Sequence, residues 1–154
     1  VTQLQRRDFL LDSGAVTALA RDRKLLEGYS ALLERKFDGR ILIPEPVLAE
    51  VYTGDPRYDV VVDRLINEIA AKQIGTKHNV FVPLTAATAI RAGALRYKAL
   101  KSEEDIEVVD AFVVAIAQYL SDRSPITILT GDVKDITALV AETGRKNIAV
   151  DRAG

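Results

Sequence analysis

Four carboxylates stand out for where they fall. Asp12 closes the apolar run DFLLD, and Asp132 closes ITILTGD, so each sits where a buried strand hands over to a turn. Asp110 lies inside VVDAFVVAIA, among almost wholly apolar neighbours, and Glu50 lies in PVLAEVYTG. An ionised carboxylate on a helix buried on most sides is costly unless it is paired, hydrogen-bonded or bound to a metal. Taken singly, each acid has an ordinary reading. Asp12, with Ser13 and Gly14, makes a turn that bonds the next backbone amides. Asp132 caps a helix whose first turn gains favourable charge from Asp135. Asp110 pairs with an Arg or Lys, or shares a partly exposed stripe with Glu107, and Glu50 belongs to a solvated helix face. Taken together, acids that converge repel one another and raise their pKa values, and a divalent cation turns that repulsion into a binding site.

The rest of the composition narrows the chemistry. There is no cysteine, which removes disulfides, thiolate nucleophiles and Cys-held zinc or iron–sulfur clusters together. His78 is the single histidine, so one chain cannot build a zinc site from several. Its setting, GTKHN, reads as a surface loop, and a Ser–His–Asp triad built on it lacks a GxSxG nucleophile elbow. Carboxylates in quantity suit hard cations such as magnesium, manganese or calcium. The net charge of −1 shows no basic excess of the kind that advertises nucleic-acid binding, so such a role requires clustered basic residues or few contacts.

The elements that must bring these acids together follow from periodicity and punctuation. The 154 residues, 48% hydrophobic, suit one domain over 1–154 with a real core. No apolar run reaches the length that crosses a bilayer, residues 1–8 are polar, and no signal-peptide cleavage site follows, so the expectation is a soluble, cytoplasmic protein. Residues 8–12 read as a buried strand. Helical spacing of Leu25, Leu26, Tyr29, Leu32, Leu33 and Phe37 predicts one helix over 14–37, stopped by Asp38-Gly39. A strand over 40–43 leads through Pro44 and Pro46 into a helix carrying Val47, Leu48, Val51 and Tyr52, which Gly54 and Pro56 end. A helix over 57–72, a strand over 79–83, and a helix over 86–100 capped by Thr85 follow. The most apolar helix spans 105–120, then come a strand over 126–130, a helix over 133–142 stopped by Gly144, and a last strand over 147–150. This alternation predicts an α/β fold, a three-layer α/β/α sandwich around a mostly parallel sheet. In such sheets sites form at the carboxyl ends of the strands.

The segments FLLDSGAVTAL, PEPVLAEV, VVDAFVVAIA and ITILTGDVKDI, in that order and over the whole chain, resemble the PIN domain, and within it most of all the VapC-type toxins of toxin–antitoxin pairs. VPLTAATAIRAGALRYKA resembles the helix before the third acid of such toxins. The resemblance implies a metal-dependent endoribonuclease. Asp12, Glu50, Asp110 and Asp132 match the four acids in turn. It implies Mg²⁺ or Mn²⁺ held by Asp12, Asp110 and Asp132, with Glu50 acting through water or as a base. Ser13, Thr130 and Asp135 match supporting positions. Val113 stands where many relatives carry a further acid, which leaves open whether Glu107 replaces it. The implied product ends are a 5′-phosphate and a 3′-hydroxyl. Arg21, Arg23, Lys24, Arg91, Arg96, Lys98 and Lys134 are candidates for holding RNA, and Tyr52 and Tyr97 for stacking on bases, though each is also ordinary as surface charge or packed ring. The implied partners are RNA, a small antitoxin that inserts a segment into the acidic pocket, and a second copy of the chain. The apolar contact faces would lie near 47–52 and 60–69.

Two other readings compete. DSGAV and TGDVKD resemble the first and last motifs of haloacid-dehalogenase-like aspartyl phosphatases, but Gly14 stands where that class wants a second Asp. A non-catalytic PIN-like binding module would have lost acids that this chain keeps. A receiver domain needs paired acids after an early strand and a phosphoacceptor at a central strand's end, and neither pattern fits.

Overall fold

The computed structural model describes residues 4–73, 80–102 and 105–153. Three segments, β2 (Asp8–Leu11), β4 (Ile41–Pro44) and β6 (Ile126–Thr130), are buried at every residue. Unbroken apolar runs of this kind belong to parallel strands covered on both faces. They form the middle of a five-stranded parallel sheet of order β5-β4-β2-β6-β7, with β5 (Phe81–Val82) and β7 (Ile148–Arg152) at the edges. The expected three-layer α/β/α architecture is what the chain adopts.

Seven helices among the described residues cover the sheet. One group, α1 (Ser13–Arg21), α2 (Arg23–Arg35), α3 (Glu45–Val51) and α4 (Pro56–Lys72), packs around α1. The other, α5 (Ala86–Ala99), α6 (Val108–Leu120) and α7 (Val133–Thr143), packs mutually. Thr85 caps α5 through its hydroxyl, and Gly144 ends α7 in the left-handed conformation, φ 66°. The core is one continuous cluster of apolar side chains from Phe9 to Ile148.

Several expected boundaries differ for physical reasons. The single helix over 14–37 is two helices. Asp22 accepts hydrogen bonds from the backbone N–H groups of Lys24 and Leu25, so it caps α2 while closing α1, and this local bond outcompetes helix continuation. The second helix stops at Arg35, because Phe37–Asp38 form β3 and pair in parallel with β1 (Gln5–Arg6). The most apolar helix starts at Val108 rather than at 105, and the last strand runs on to Arg152. The expected strand over 79–83 is reduced to Phe81–Val82 among the described residues; Asn79 lies outside them.

At the amino edge of the sheet a buried pair locks the strands. Asp8, fully buried, accepts from Arg40 N (2.8 Å), Arg40 Nη2 (3.2 Å) and Ser124 Oγ (3.2 Å). Removing one partner of such a pair costs about 3–5 kcal/mol, because a buried charge is left alone.

Candidate functional site

From β2 the chain steps to β4 on one side, yet the strand on the other side of β2 is β6, far later in sequence. The direction of winding reverses between them, and this switch point leaves a crevice at the carboxyl ends of β2 and β6. Asp12 follows β2 and Asp132 stands two residues after β6. A cleft of ≈ 530 Å³ opens there, lined by Asp12, Ser13, Gly14, Glu50, Asp105, Glu107, Asp110, Gly131, Asp132 and Asp135. The structure thus gathers the four sequence-selected acids around one cleft. Among the described residues seven carboxylates line it, and no Arg or Lys does.

Asp12 is buried and doubly employed. As N-cap of α1 its Oδ1 accepts from Ala15 N (2.8 Å), and its Oδ2 accepts from the Thr130 hydroxyl. The Thr130 hydroxyl, itself fully buried, also accepts from Asp132 N (2.8 Å), so one side chain ties the ends of β2 and β6 together. Asp132 caps α7 by accepting from Asp135 N (3.2 Å). Glu50 is exposed on the last turn of α3, and its carboxylate accepts from the Ser13 hydroxyl. Asp110 sits half-buried in the first turn of α6. Below the acids the backbone is tight. A Cβ at Gly14 would lie 2.9 Å from Gly131 Cα, so position 14 has no room for the second acid that an aspartyl phosphatase needs.

The electrostatics follow from this crowding. Burial first, and then the charges of Asp12, Asp132, Glu107 and Glu50, together raise the Asp110 pKa from 3.8 to about 7. Burial also raises the Asp12 pKa, opposed by hydrogen bonds from Thr130, Ala15 and Gly131 and reinforced by Asp132. The lysine or arginine partner that would make Asp110 an ordinary buried ion pair is absent among the described residues. Oxygen atoms of Asp110, Asp132 and Asp135 lie within 4.8 Å of one another. Three hard oxygen donors at that spacing fit a hard divalent cation. Asp12 stands beside this trio, its oxygens held by Ala15 and Thr130.

Some placements differ from the spacing-based ones. Asp135, read as a supporting residue, shares the trio. Asp105 and Glu107 line the cleft as well, and Val113 is fully buried in the core. Among the basic candidates, Arg23 pairs with Glu27 (3.4 Å) and Glu68 (3.9 Å), and Arg96 Nε donates to Ile106 O (2.7 Å), so both are structural. Arg152, which spacing did not single out, donates from Nη1 to Gly131 O (3.3 Å) at the rim of the cleft. The Tyr52 hydroxyl donates to Asp63 Oδ1 (2.6 Å), bracing α3 against α4, whereas Tyr97 is 72% exposed. His78 lies outside the described residues.

Comparison with solved structures finds the same fold at low identity. VapBC-1 from nontypeable Haemophilus influenzae matches with TM-score 0.62 and 14% identity, covering 95% of this chain and 98% of that one. FitAcB from Neisseria gonorrhoeae matches with TM-score 0.59 and 20% identity, covering 92% and 95%. VapBC2 from Rickettsia felis, bound to a DNA fragment from its promoter, matches with TM-score 0.57 and 16% identity, covering 94% and 98%. No curated protein matches significantly. No described helix is long and apolar enough to cross a membrane. The family model for the PIN domain matches residues 9–134, well over half the chain and including Asp12, Glu50, Asp110 and Asp132, and on that match the chain belongs to the PIN-domain family.

Proposed function

We propose that the protein is a metal-dependent endoribonuclease, the VapC-type toxin of a toxin–antitoxin pair, working in the cytoplasm as one nuclease domain over residues 1–154. The observation that carries this reading is the convergence of carboxylates at the switch point, with Asp110 raised to about 7. Asp110, Asp132 and Asp135 would hold Mg²⁺ or Mn²⁺, with Asp12 as the buried charge behind them. When bound, such an ion polarises a phosphoryl oxygen and makes a bound water acidic enough to attack. The protein's own part is placement. Thr130 fixes Asp12 and the Asp132 backbone, and Ser13, next to Asp12, holds the Glu50 carboxylate at the cleft, where it would accept the water's proton.

The solved neighbours are named VapBC and FitAB, two-component names that support a small antitoxin as partner for this chain. A second copy of the chain is proposed to seat on α5, where Ile90 (76%) and Tyr97 (72%) are exposed. The face over 60–69 offers less, because Val62, Leu65 and Ile69 are spent in the core.

The test is incubation of labelled RNA with Mg²⁺, Mn²⁺ or EDTA, beside an Asp110→Asn variant purified identically. Cleavage should require the metal and fall about 100-fold or more in the variant, the scale of losing one charge-stabilising group. Equal cleavage by both proteins, or none by wild type with either metal, overturns the reading.

A further inference from the structure

The cleft poses a problem for any phosphodiester substrate. It is lined by acids, and a polyanion needs positive charge at its edge to approach them. We propose that Arg152 supplies that charge, as a substrate-holding residue that contacts an RNA phosphate on the β7 side of the cleft; this rests on the ribonuclease reading above.

Three observations place it there. First, β7 pairs with β6 in a register that sets Arg152 opposite Thr130, the residue that anchors Asp12 and Asp132. The backbone pairing continues one residue further, with Ala153 N donating to Thr130 O (3.0 Å), so the position of Arg152 is fixed by the sheet and not by a loose tail. Second, its Nη1 donates to the carbonyl of Gly131, itself a lining residue. One donor of the fork is thereby used to aim the guanidinium along the rim. The others remain for a phosphate, which an arginine meets through two parallel hydrogen bonds. Third, Arg152 is exposed and forms no ion pair among the described residues, whereas Arg23, Arg40, Arg57 and Arg145 are all neutralised by nearby carboxylates. The charge at Arg152 is therefore available to an anion in the cleft.

The experiment measures binding and cleavage separately. Fluorescence anisotropy of a labelled random-sequence single-stranded RNA is recorded in Ca²⁺ across a salt series for wild type, Arg152→Gln and Arg152→Lys. Metal-dependent cleavage of the same RNA and the melting temperature are followed in parallel. Arg152→Gln should weaken binding about tenfold, the loss of one charge-assisted contact, and lower the salt slope by about one. KM should rise while kcat stays near wild type, and Arg152→Lys should keep the salt slope while recovering part of the affinity. Unchanged affinity and slope in a well-folded Arg152→Gln, with wild type still cleaving, overturn the assignment and leave the ribonuclease reading standing. Wild type that neither binds nor cleaves RNA overturns both.

Discussion

Asp8 and Asp110 are both acids withdrawn from water, but Asp8 is met by Arg40 and Ser124, whereas Asp110 is met by other carboxylates. The difference sets a pH dependence whose sign can be worked out. A folded-state pKa raised from 3.8 to about 7 means the native state holds a proton that the unfolded chain has already lost. Stability from this group is full below pH 3.8 and is lost as the pH rises through about 7, and Asp12, shifted the same way, adds to the trend. Melting temperatures in EDTA should therefore fall as the pH climbs over that window. Asp110→Asn should flatten the slope and melt higher at pH 8, by about 3 °C for each kcal/mol of repulsion relieved. A slope unchanged by the variant would mean that Asp110 carries no such strain. At this scale the four acids were legible in the sequence, since two end apolar runs and one sits on an apolar helix. Asp135 was legible only as a supporting residue, because an acid in the first turn of a helix is normal dipole chemistry, and only the fold brings its oxygen to Asp110.

Elements position the acids by their ends more than by their lengths. α1 begins where β2 stops and α7 begins where β6 stops, so both caps are also cleft walls, and the Thr130 hydroxyl is the brace between them. Thr130→Val keeps the shape and deletes both hydrogen bonds. It should cost about 1–3 kcal/mol in chemical denaturation, the penalty of leaving a buried group unpaired, and should lower kcat more than it raises KM as Asp12 loosens. A variant as stable and as active as wild type would remove the brace from the account. The strand-helix order was readable from periodicity and from Pro and Gly punctuation. The split at Asp22 was hidden, because the apolar spacing runs through it and a side-chain cap decides the break. The pairing of β1 with β3 was hidden because two-residue strands carry no period. Arg152 escaped notice because its place depends on the register of β7 against β6, a contact distant in sequence from the acids it adjoins.

For the whole molecule, a cation that binds only the assembled cleft must stabilise the fold. Millimolar Mg²⁺ or Mn²⁺ should raise the melting temperature, by about 2.7 kcal/mol of stability at a hundredfold excess over Kd, and Asp132→Asn should abolish the increase. An equal rise in the variant would point to ions acting elsewhere. The strand order has a further consequence for how the molecule comes into being. Asp12 and its partner Thr130 are separated by 118 residues, so β2 leaves the ribosome long before β6 exists to flank it. At about 5–20 residues per second the first acid waits roughly 6–24 s for the last wall of its cleft. During translation, and in any fragment cut short before β6, the central strand has one bare edge and the acids have no common pocket. Whatever the cleft does begins only once β6 has emerged and closed the sheet beside β2, which ties its onset to the arrival of that one late strand.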